Sequence, residues 1–131
     1  MAEMYSSADI FVDGQFSAGW NNPVAEAMAC RVPVVCSDIG GVWDFAFHQK
    51  TALLVPPNDV DATAEAILQL VNDPTLRQQL SENAYQHIRT FKWDESAIRL
   101  EGVLADALAR PPVKHPGSRS RIVRELEGVW V

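Results

Sequence analysis

Short apolar segments alternate with helix-prone segments along the first half of the chain. Of all the sequence features, this alternation most restricts the folds that the chain can adopt. Residues 10–12, 32–36 and 51–55 are apolar runs of strand length, and residues typical of turns follow each run. Strands separated by helices form parallel sheets, because the chain must cross a sheet face before each new strand. The sequence therefore predicts an α/β fold, a partial Rossmann-like domain with a parallel sheet of about three strands flanked by helices.

The chain after residue 59 has only helical patterns. Apolar residues form one stripe at Ala62, Ala66, Ile67 and Leu70, and a second at Leu76, Leu80, Ala84 and Ile88. A third amphipathic segment covers residues 93–109. We therefore predict one domain over 1–109 with a helical C-terminal part, and a Pro/Gly/Arg linker and tail over 110–131 whose last residues permit a short helix.

Composition narrows the class of protein. Of the 131 residues, 47% are hydrophobic, which is sufficient for a core, and the net charge of -6 without a basic stripe argues against a nucleic-acid partner. No apolar run is long enough to span a membrane. Cys30 and Cys36 lie in apolar surroundings, as reduced thiols of a cytoplasmic protein do. The basic tail residues Lys114, Arg119, Arg121 and Arg124 fit a solvated linker, or peripheral contact with a membrane of anionic lipid.

The loop before Pro23 is the predicted binding segment. It joins a parallel strand to a helix, the position at which open α/β sheets bind ligands. Gly19 allows the backbone to approach a ligand, and the N–H groups of Trp20, Asn21 and Asn22 lie near a helix N-terminus, which favours a diphosphate. Asn22 is the predicted N-cap of the helix that Pro23 opens.

Several residues near this loop have two interpretations each. Glu26, placed on the first helical turn, binds vicinal hydroxyls such as those of a ribose, or only complements the helix dipole. Trp20 stacks on a ligand or packs beside the loop, with packing favoured. Gly40 and Gly41 form a ligand-facing turn, a tight connection to a short helix over 43–47, or both. Asp38 and Asp44 are interpreted as loop and cap residues. The spacing of His48, His87 and His115 does not suggest a metal site.

The ordered succession ADIFV, GWNNP, EAMAC, VPVV, SDIGG, TALLVPPND, DPTLRQQLSENA and FKW resembles one family over residues 2–108. The family is the retaining, GT-B-type glycosyltransferases of family four, and the matching part is their C-terminal, donor-binding half. The resemblance implies transfer of a hexose from a nucleotide-diphosphate sugar to a glycan, lipid or small-molecule acceptor. It also implies that no metal is needed, since helix dipoles and basic side chains stabilise the leaving diphosphate.

The family's signature is a pair of glutamates separated by seven residues, and this chain carries only the second. That second glutamate is Glu26, which the resemblance implies holds the ribose. The first position is Ala18, whose methyl group accepts no hydrogen bond from a sugar, and losing such a bond costs on the order of 1–3 kcal/mol. Asp13 and Ser17 are the neighbouring polar candidates to replace it, and no catalytic residue is assigned.

The resemblance also implies parts that would precede residue 1, namely a basic pair for the diphosphate and an N-terminal acceptor-binding domain. We therefore expect an N-terminal truncation, with the missing domain or a partner chain covering the open sheet edge, and we expect the isolated chain to be inactive. The alternative, supported by Ala18, is a degenerate, non-catalytic nucleotide-binding or assembly module. An unrelated Rossmann-like regulatory domain is disfavoured by the succession of motifs.

Overall fold

A computed structural model describes residues 2–110, which fall into two compact units divided between Lys92 and Trp93. The first unit contains a three-stranded sheet in which all strands are parallel and the second strand is central. The strands are β1 (Phe11–Asp13), β2 (Val34–Ser37) and β3 (Leu53–Val55). This sheet confirms the predicted α/β fold, and each strand is shorter than, or shifted from, its sequence-predicted range.

Four helices and one 3-10 turn complete the first unit. They are α1 (Ala2–Ser6), α2 (Asn22–Ala29), the 3-10 turn (Gly40–Val42), α3 (Val60–Asn72) and α4 (Pro74–Ile88). The short helix predicted over 43–47 is wrong. Its place is taken by the 3-10 turn and a following turn, after which the Phe47 N–H donates to the Thr51 hydroxyl at 2.8 Å and not to a carbonyl one helical turn earlier.

The alternation of side chains along β2 divides the core between the two faces of the sheet. Val34 and Cys36 belong to one apolar cluster together with Met28 of α2. Val35, between them, belongs to a second cluster together with Leu70 of α3. All four residues of β2 are buried, as expected of a central parallel strand covered on both faces.

Helix α4 contributes to both clusters, with Ala84 in the first and Leu80 in the second. The predicted apolar stripes of α3 and α4 are thereby confirmed. Side chains also close the junction between the two helices. Asp73 caps α4 by accepting from the Leu76 N–H at 2.9 Å, and Arg77 donates to the Leu70 carbonyl at the end of α3 at 2.6 Å.

The described part of the second unit is α5 (Trp93–Ala109), which confirms the third predicted helix. Its apolar side chains recur at helical spacing, and none of its residues is buried. Within residues 2–110, no helix has both the length and the apolar character that crossing a membrane requires. The predictions for 111–131, including the basic tail residues and His115, lie outside the described residues.

Candidate functional site

The carboxyl ends of the three parallel strands lie along one edge of the sheet, and the first two are marked by acidic residues. Asp13 ends β1, where it is paired in register with Cys36. Asp38 follows β2 directly, and its N–H donates to the Val55 carbonyl at the end of β3 at 2.8 Å. Because this edge is where open α/β sheets bind ligands, it is the candidate functional site.

Asn21 fixes the loop of residues 18–22, here called the 18–22 loop, to the end of β1. Asn21 is only 2% exposed, and its Nδ2 donates to Asp13 Oδ2 at 2.7 Å. Its Oδ1 accepts from the Val24 N–H at 3.4 Å, which makes Asn21 the N-cap of α2. The predicted cap, Asn22, is wrong by one residue, because the chain enters the helix one residue earlier and Asn22 is already helical.

Gly41 packs directly on the 18–22 loop. Its carbonyl accepts from the Asn21 N–H at 3.0 Å. A Cβ at position 41 would overlap the Gly19 carbonyl oxygen and lie 2.9 Å from that of Ala18, whereas a Cβ at Gly40 would meet nothing within 4 Å. The two predicted turn glycines therefore differ, since only Gly41 is required for the close approach of two backbone segments.

The backbone donors of the 18–22 loop are partly occupied. The Asn21 N–H donates to Gly41, and the Asn22 N–H donates to the Trp20 carbonyl at 3.0 Å. Among the described residues, no acceptor is bonded to the Trp20 N–H. A diphosphate at this loop would therefore bind the Trp20 N–H, or displace one of the two internal hydrogen bonds.

The ring of Trp20 packs on the protein and also reaches solvent. Its centroid lies 4.7 Å from that of the buried Phe45 and 5.1 Å from that of Phe91. These are distances of favourable aromatic pairs. Trp20 nevertheless remains 43% exposed. Packing therefore accounts for the position of the ring, and the exposed part remains accessible to a ligand.

Glu26 lies on the second turn of α2, not on the first turn as predicted, because the helix already begins at Asn22. The helix dipole acts mainly within the first turn, so it accounts poorly for this carboxylate. Glu26 is exposed, and its Oε2 accepts from the Tyr5 hydroxyl of α1 at 2.9 Å. Burial, and then this hydrogen bond, raise the pKa of Tyr5.

Sequence reasoning also missed the polar pair of Trp43 and Asp38 at the sheet edge. The indole Nε1 of Trp43 donates to Asp38 Oδ1 at 2.7 Å, although Asp38 was interpreted only as a loop residue. The available signal was the position of an acid directly after a strand. The pKa of the buried Cys36 thiol is raised to about 12. Burial is the main cause, and the negative charges of Asp13 and Asp38 add to it.

The histidines of the described chain make local contacts. His48 Nδ1 accepts from the Leu54 N–H at 3.0 Å, and the His87 ring packs against Phe91 with centroids 5.6 Å apart. Within residues 2–110, no three His, Cys, Asp or Glu side chains are grouped as ligands for a metal ion.

A parallel sheet whose carboxyl edge meets a glycine-containing loop and a helix N-terminus is the arrangement of a Rossmann-like α/β protein. Residues 1–87 match the family model described as glycosyl transferases group 1. The chain therefore belongs to the glycosyl transferases group 1 family. It is 31% identical over 113 residues to the D-inositol 3-phosphate glycosyltransferase of Corynebacterium glutamicum, an alignment that covers 86% of this chain and 27% of that protein.

Solved structures share the fold. The sucrose-phosphate synthase of Thermosynechococcus elongatus superposes with a TM-score of 0.74 at 31% identity, over 81% of this chain and 27% of that one. Anabaena HepE in complex with UDP superposes with a TM-score of 0.75 at 19% identity, over 79% and 29% of the two chains. The fold is thus of the GT-B glycosyltransferase type, and the chain spans about a quarter of the length of its curated relatives.

Proposed function

We propose that this chain is the donor-binding part of a retaining glycosyltransferase that moves a hexose from a nucleotide-diphosphate sugar to a glycan, lipid or small-molecule acceptor. In this reaction the bond between the anomeric carbon and the diphosphate oxygen breaks. A bond to an acceptor hydroxyl oxygen forms on the same face of the sugar, and the hydroxyl proton leaves with the diphosphate. An acceptor-binding domain, in the same polypeptide or in a partner chain, completes the site.

The main support for this proposal is the attachment of the 18–22 loop to the carboxyl edge of the sheet. Asn21 bonds this loop to Asp13 and to Gly41, so its backbone is held at the start of α2. The positive end of the helix dipole then faces an anion at the Trp20 N–H. Binding of UDP by Anabaena HepE, which has the same fold, supports a nucleoside diphosphate as that anion.

Glu26 is the proposed ribose ligand. Its carboxylate is exposed, it lies one turn beyond the loop, and Tyr5 occupies only one of its two oxygens. The free oxygen is available to a ribose hydroxyl. Gly19, Trp20, Asn21 and Asn22 complete the proposed donor site, with the Trp20 ring beside the nucleotide and the loop backbone near the diphosphate.

We propose that the reaction needs no metal, because the N-terminus of α2 supplies positive potential to the leaving diphosphate. Transfer that persists unchanged in excess EDTA is the expected result, and loss of transfer that added Mg²⁺ restores would contradict it. The free thiols of Cys30 and Cys36 favour a reducing compartment, and we assign the chain to the cytoplasm.

Nucleotide titration tests the donor site directly. We expect saturable shifts of the Trp20 and Gly19 amide resonances of the ¹⁵N-labelled chain on addition of UDP, GDP or ADP. Glu26→Ala should weaken that binding about 10- to 100-fold, the value of a hydrogen bond to a charged group. Glu65→Ala, an exposed change on α3, is the matched control. The proposal fails if no nucleotide gives a saturable shift, and Glu26 loses its role if its variant binds like the control.

A second function has its own supporting observation. Ala18 carries only a methyl group, which would lie 3.0 Å from a Cβ added at Gly41, so a hydrogen-bonding side chain is missing at the loop nearest the proposed sugar. A module that binds nucleotide without turnover fits this feature. Nucleotide binding by a protein that also carries the acceptor domain, without release of UDP, GDP or ADP from any sugar donor, would favour this second function.

A further inference from the structure

A pocket opens at the carboxyl end of β3, and the proposed nucleotide site uses none of its residues. It is a shallow pocket, open to solvent, with a volume of about 390 Å³. The lining residues are Asp38, His48, Leu54, Val55, Pro56 and Pro57. They combine an apolar floor with one carboxylate and one imidazole.

Trp43 is not among the lining residues, but its indole is bonded to Asp38, which is one of them. The 2.7 Å bond from its Nε1 to Asp38 satisfies the polar edge of the indole and fixes the ring beside the pocket. Trp43 is nevertheless 60% exposed, so much of its apolar face is in contact with water. An indole held in this way by a lining residue can stack on the apolar face of a ligand with little loss of side-chain entropy.

His48 supplies a hydrogen-bond donor of known tautomer. Its Nδ1 accepts from the Leu54 N–H at 3.0 Å, so this nitrogen carries no proton. The proton of the neutral ring is therefore on Nε2, which can donate to a ligand. Asp38 provides the complementary acceptor, because only its Oδ1 is bonded to Trp43.

The charge of the lining selects the class of ligand. Asp38 is the only carboxylate among the six, and no lysine or arginine is among them. A phosphate or carboxylate ligand would meet an unpaired negative charge and is disfavoured. A neutral ligand with hydroxyl donors, hydroxyl acceptors and an apolar face satisfies the carboxylate, the imidazole and the indole together.

We propose that this pocket binds a neutral carbohydrate. The C–H face of a pyranose ring stacks on Trp43, one hydroxyl donates to Asp38 Oδ2, and a second hydroxyl accepts from His48 Nε2. The proposal requires no nucleotide at the 18–22 loop, so it stands or fails independently of the proposed donor site.

The test follows the indole Nε1–H resonance of Trp43 in the ¹⁵N-labelled full chain, assigned with Trp43→Phe. Methyl α-D-glucopyranoside and methyl α-D-mannopyranoside are the probes, added to about 100 mM so that binding with a millimolar dissociation constant is detected. We expect at least one of them to shift this resonance saturably. Xylitol, an open-chain polyol without a ring face, should not do so.

Two variants separate the site from a general solvent effect. Asp38→Asn preserves the size of the side chain and removes its charge, and we expect it to weaken sugar binding about tenfold. Trp43→Ala should abolish binding, monitored by the Leu54 amide. Trp93→Ala changes an indole that is 89% exposed on α5 and should bind like the unaltered chain. The proposal would be overturned by shifts that grow linearly with sugar concentration, that xylitol reproduces, or that persist in Trp43→Ala. None of these outcomes would affect UDP binding at the 18–22 loop.

Discussion

The side-chain amide of Asn21 donates a 2.7 Å hydrogen bond to the carboxylate of Asp13, and this bond connects the 18–22 loop to the end of β1. The same amide caps α2, and the backbone N–H of Asn21 binds the Gly41 carbonyl. One buried residue, through its side chain and its backbone N–H, therefore joins the first strand, the site loop and the turn after the second strand. The geometry of the proposed donor site depends on this residue.

Asn21→Ala should destabilise the chain by about 1–3 kcal/mol, because it removes the cap of α2 and leaves the half-buried Asp13 without its amide donor. Urea unfolding, monitored by circular dichroism, measures this loss. Asn22→Ala is the matched control, since that neighbouring side chain is exposed and its substitution should change stability by less than about 0.5 kcal/mol. Equal losses in the two variants would contradict the assigned role of Asn21.

Gly41→Ala should be more harmful than Gly40→Ala, although the two residues are adjacent. A methyl group at position 41 overlaps the Gly19 carbonyl, and relieving the overlap requires backbone movement, which costs about 1–3 kcal/mol. At position 40 the methyl group enters open space. Amide spectra of both variants test this difference, with changes in the 18–22 loop expected only for Gly41→Ala. Equal stability and equal spectra would show that the two backbone segments are not tightly packed.

The sequence allowed the strand and helix succession to be predicted because period and length are local properties. Val34, Val35 and Cys36 form a continuous apolar run, which is typical of a central strand. Leu80 and Ala84 recur at helical spacing. The family resemblance was also readable, because it depends on the order of short motifs along the chain.

The finer geometry of the site was not predictable in the same way. The choice of Asn21 over Asn22 as the N-cap depends on Asp13, which is eight residues away in sequence and adjacent only in the fold. Likewise, the contact of Glu26 with Tyr5 joins two helices. Hydrogen bonds between distant segments have no local sequence period, so patterns within a single segment do not reveal them.

The buried thiol of Cys36 should make stability depend on alkaline pH. Its pKa of about 12 in the folded chain is higher than the value of about 8.5 for an unfolded cysteine, so folding favours the protonated thiol. This contribution is complete below about pH 8.5 and is lost as the pH rises toward the folded pKa, by at most about 1.4 kcal/mol per pH unit.

Comparison with Cys36→Ala isolates this effect, because the titrations of all other groups are largely common to both proteins. The unaltered chain should be more stable than Cys36→Ala at pH 7, since alanine leaves a small cavity in the core. The difference in unfolding free energy should then decrease between pH 8.5 and pH 10 by about 1–2 kcal/mol. A difference that stays constant over this range would show that the thiol is not buried in the folded chain.

Tyr5→Phe tests whether the contact between α1 and α2 orients the proposed ribose ligand. The change removes the hydroxyl that donates to Glu26 and leaves the ring beside Phe11, with which it makes an aromatic pair at 5.7 Å. Glu26 is exposed and can bind water instead, so the loss of stability should be below about 1 kcal/mol. Nucleotide affinity should fall about two- to fivefold, because the carboxylate samples more rotamers before it binds.

A double-mutant cycle distinguishes an orienting role from a separate effect of Tyr5. In the Glu26→Ala background there is no carboxylate to orient, so adding Tyr5→Phe should leave nucleotide affinity unchanged within error. If Tyr5→Phe instead reduces affinity by the same factor in both backgrounds, Tyr5 acts through the core rather than through Glu26. UDP titrations of the four proteins, followed by the Trp20 amide resonance, give the coupling directly, and unchanged unfolding midpoints confirm that the comparison is made between folded chains.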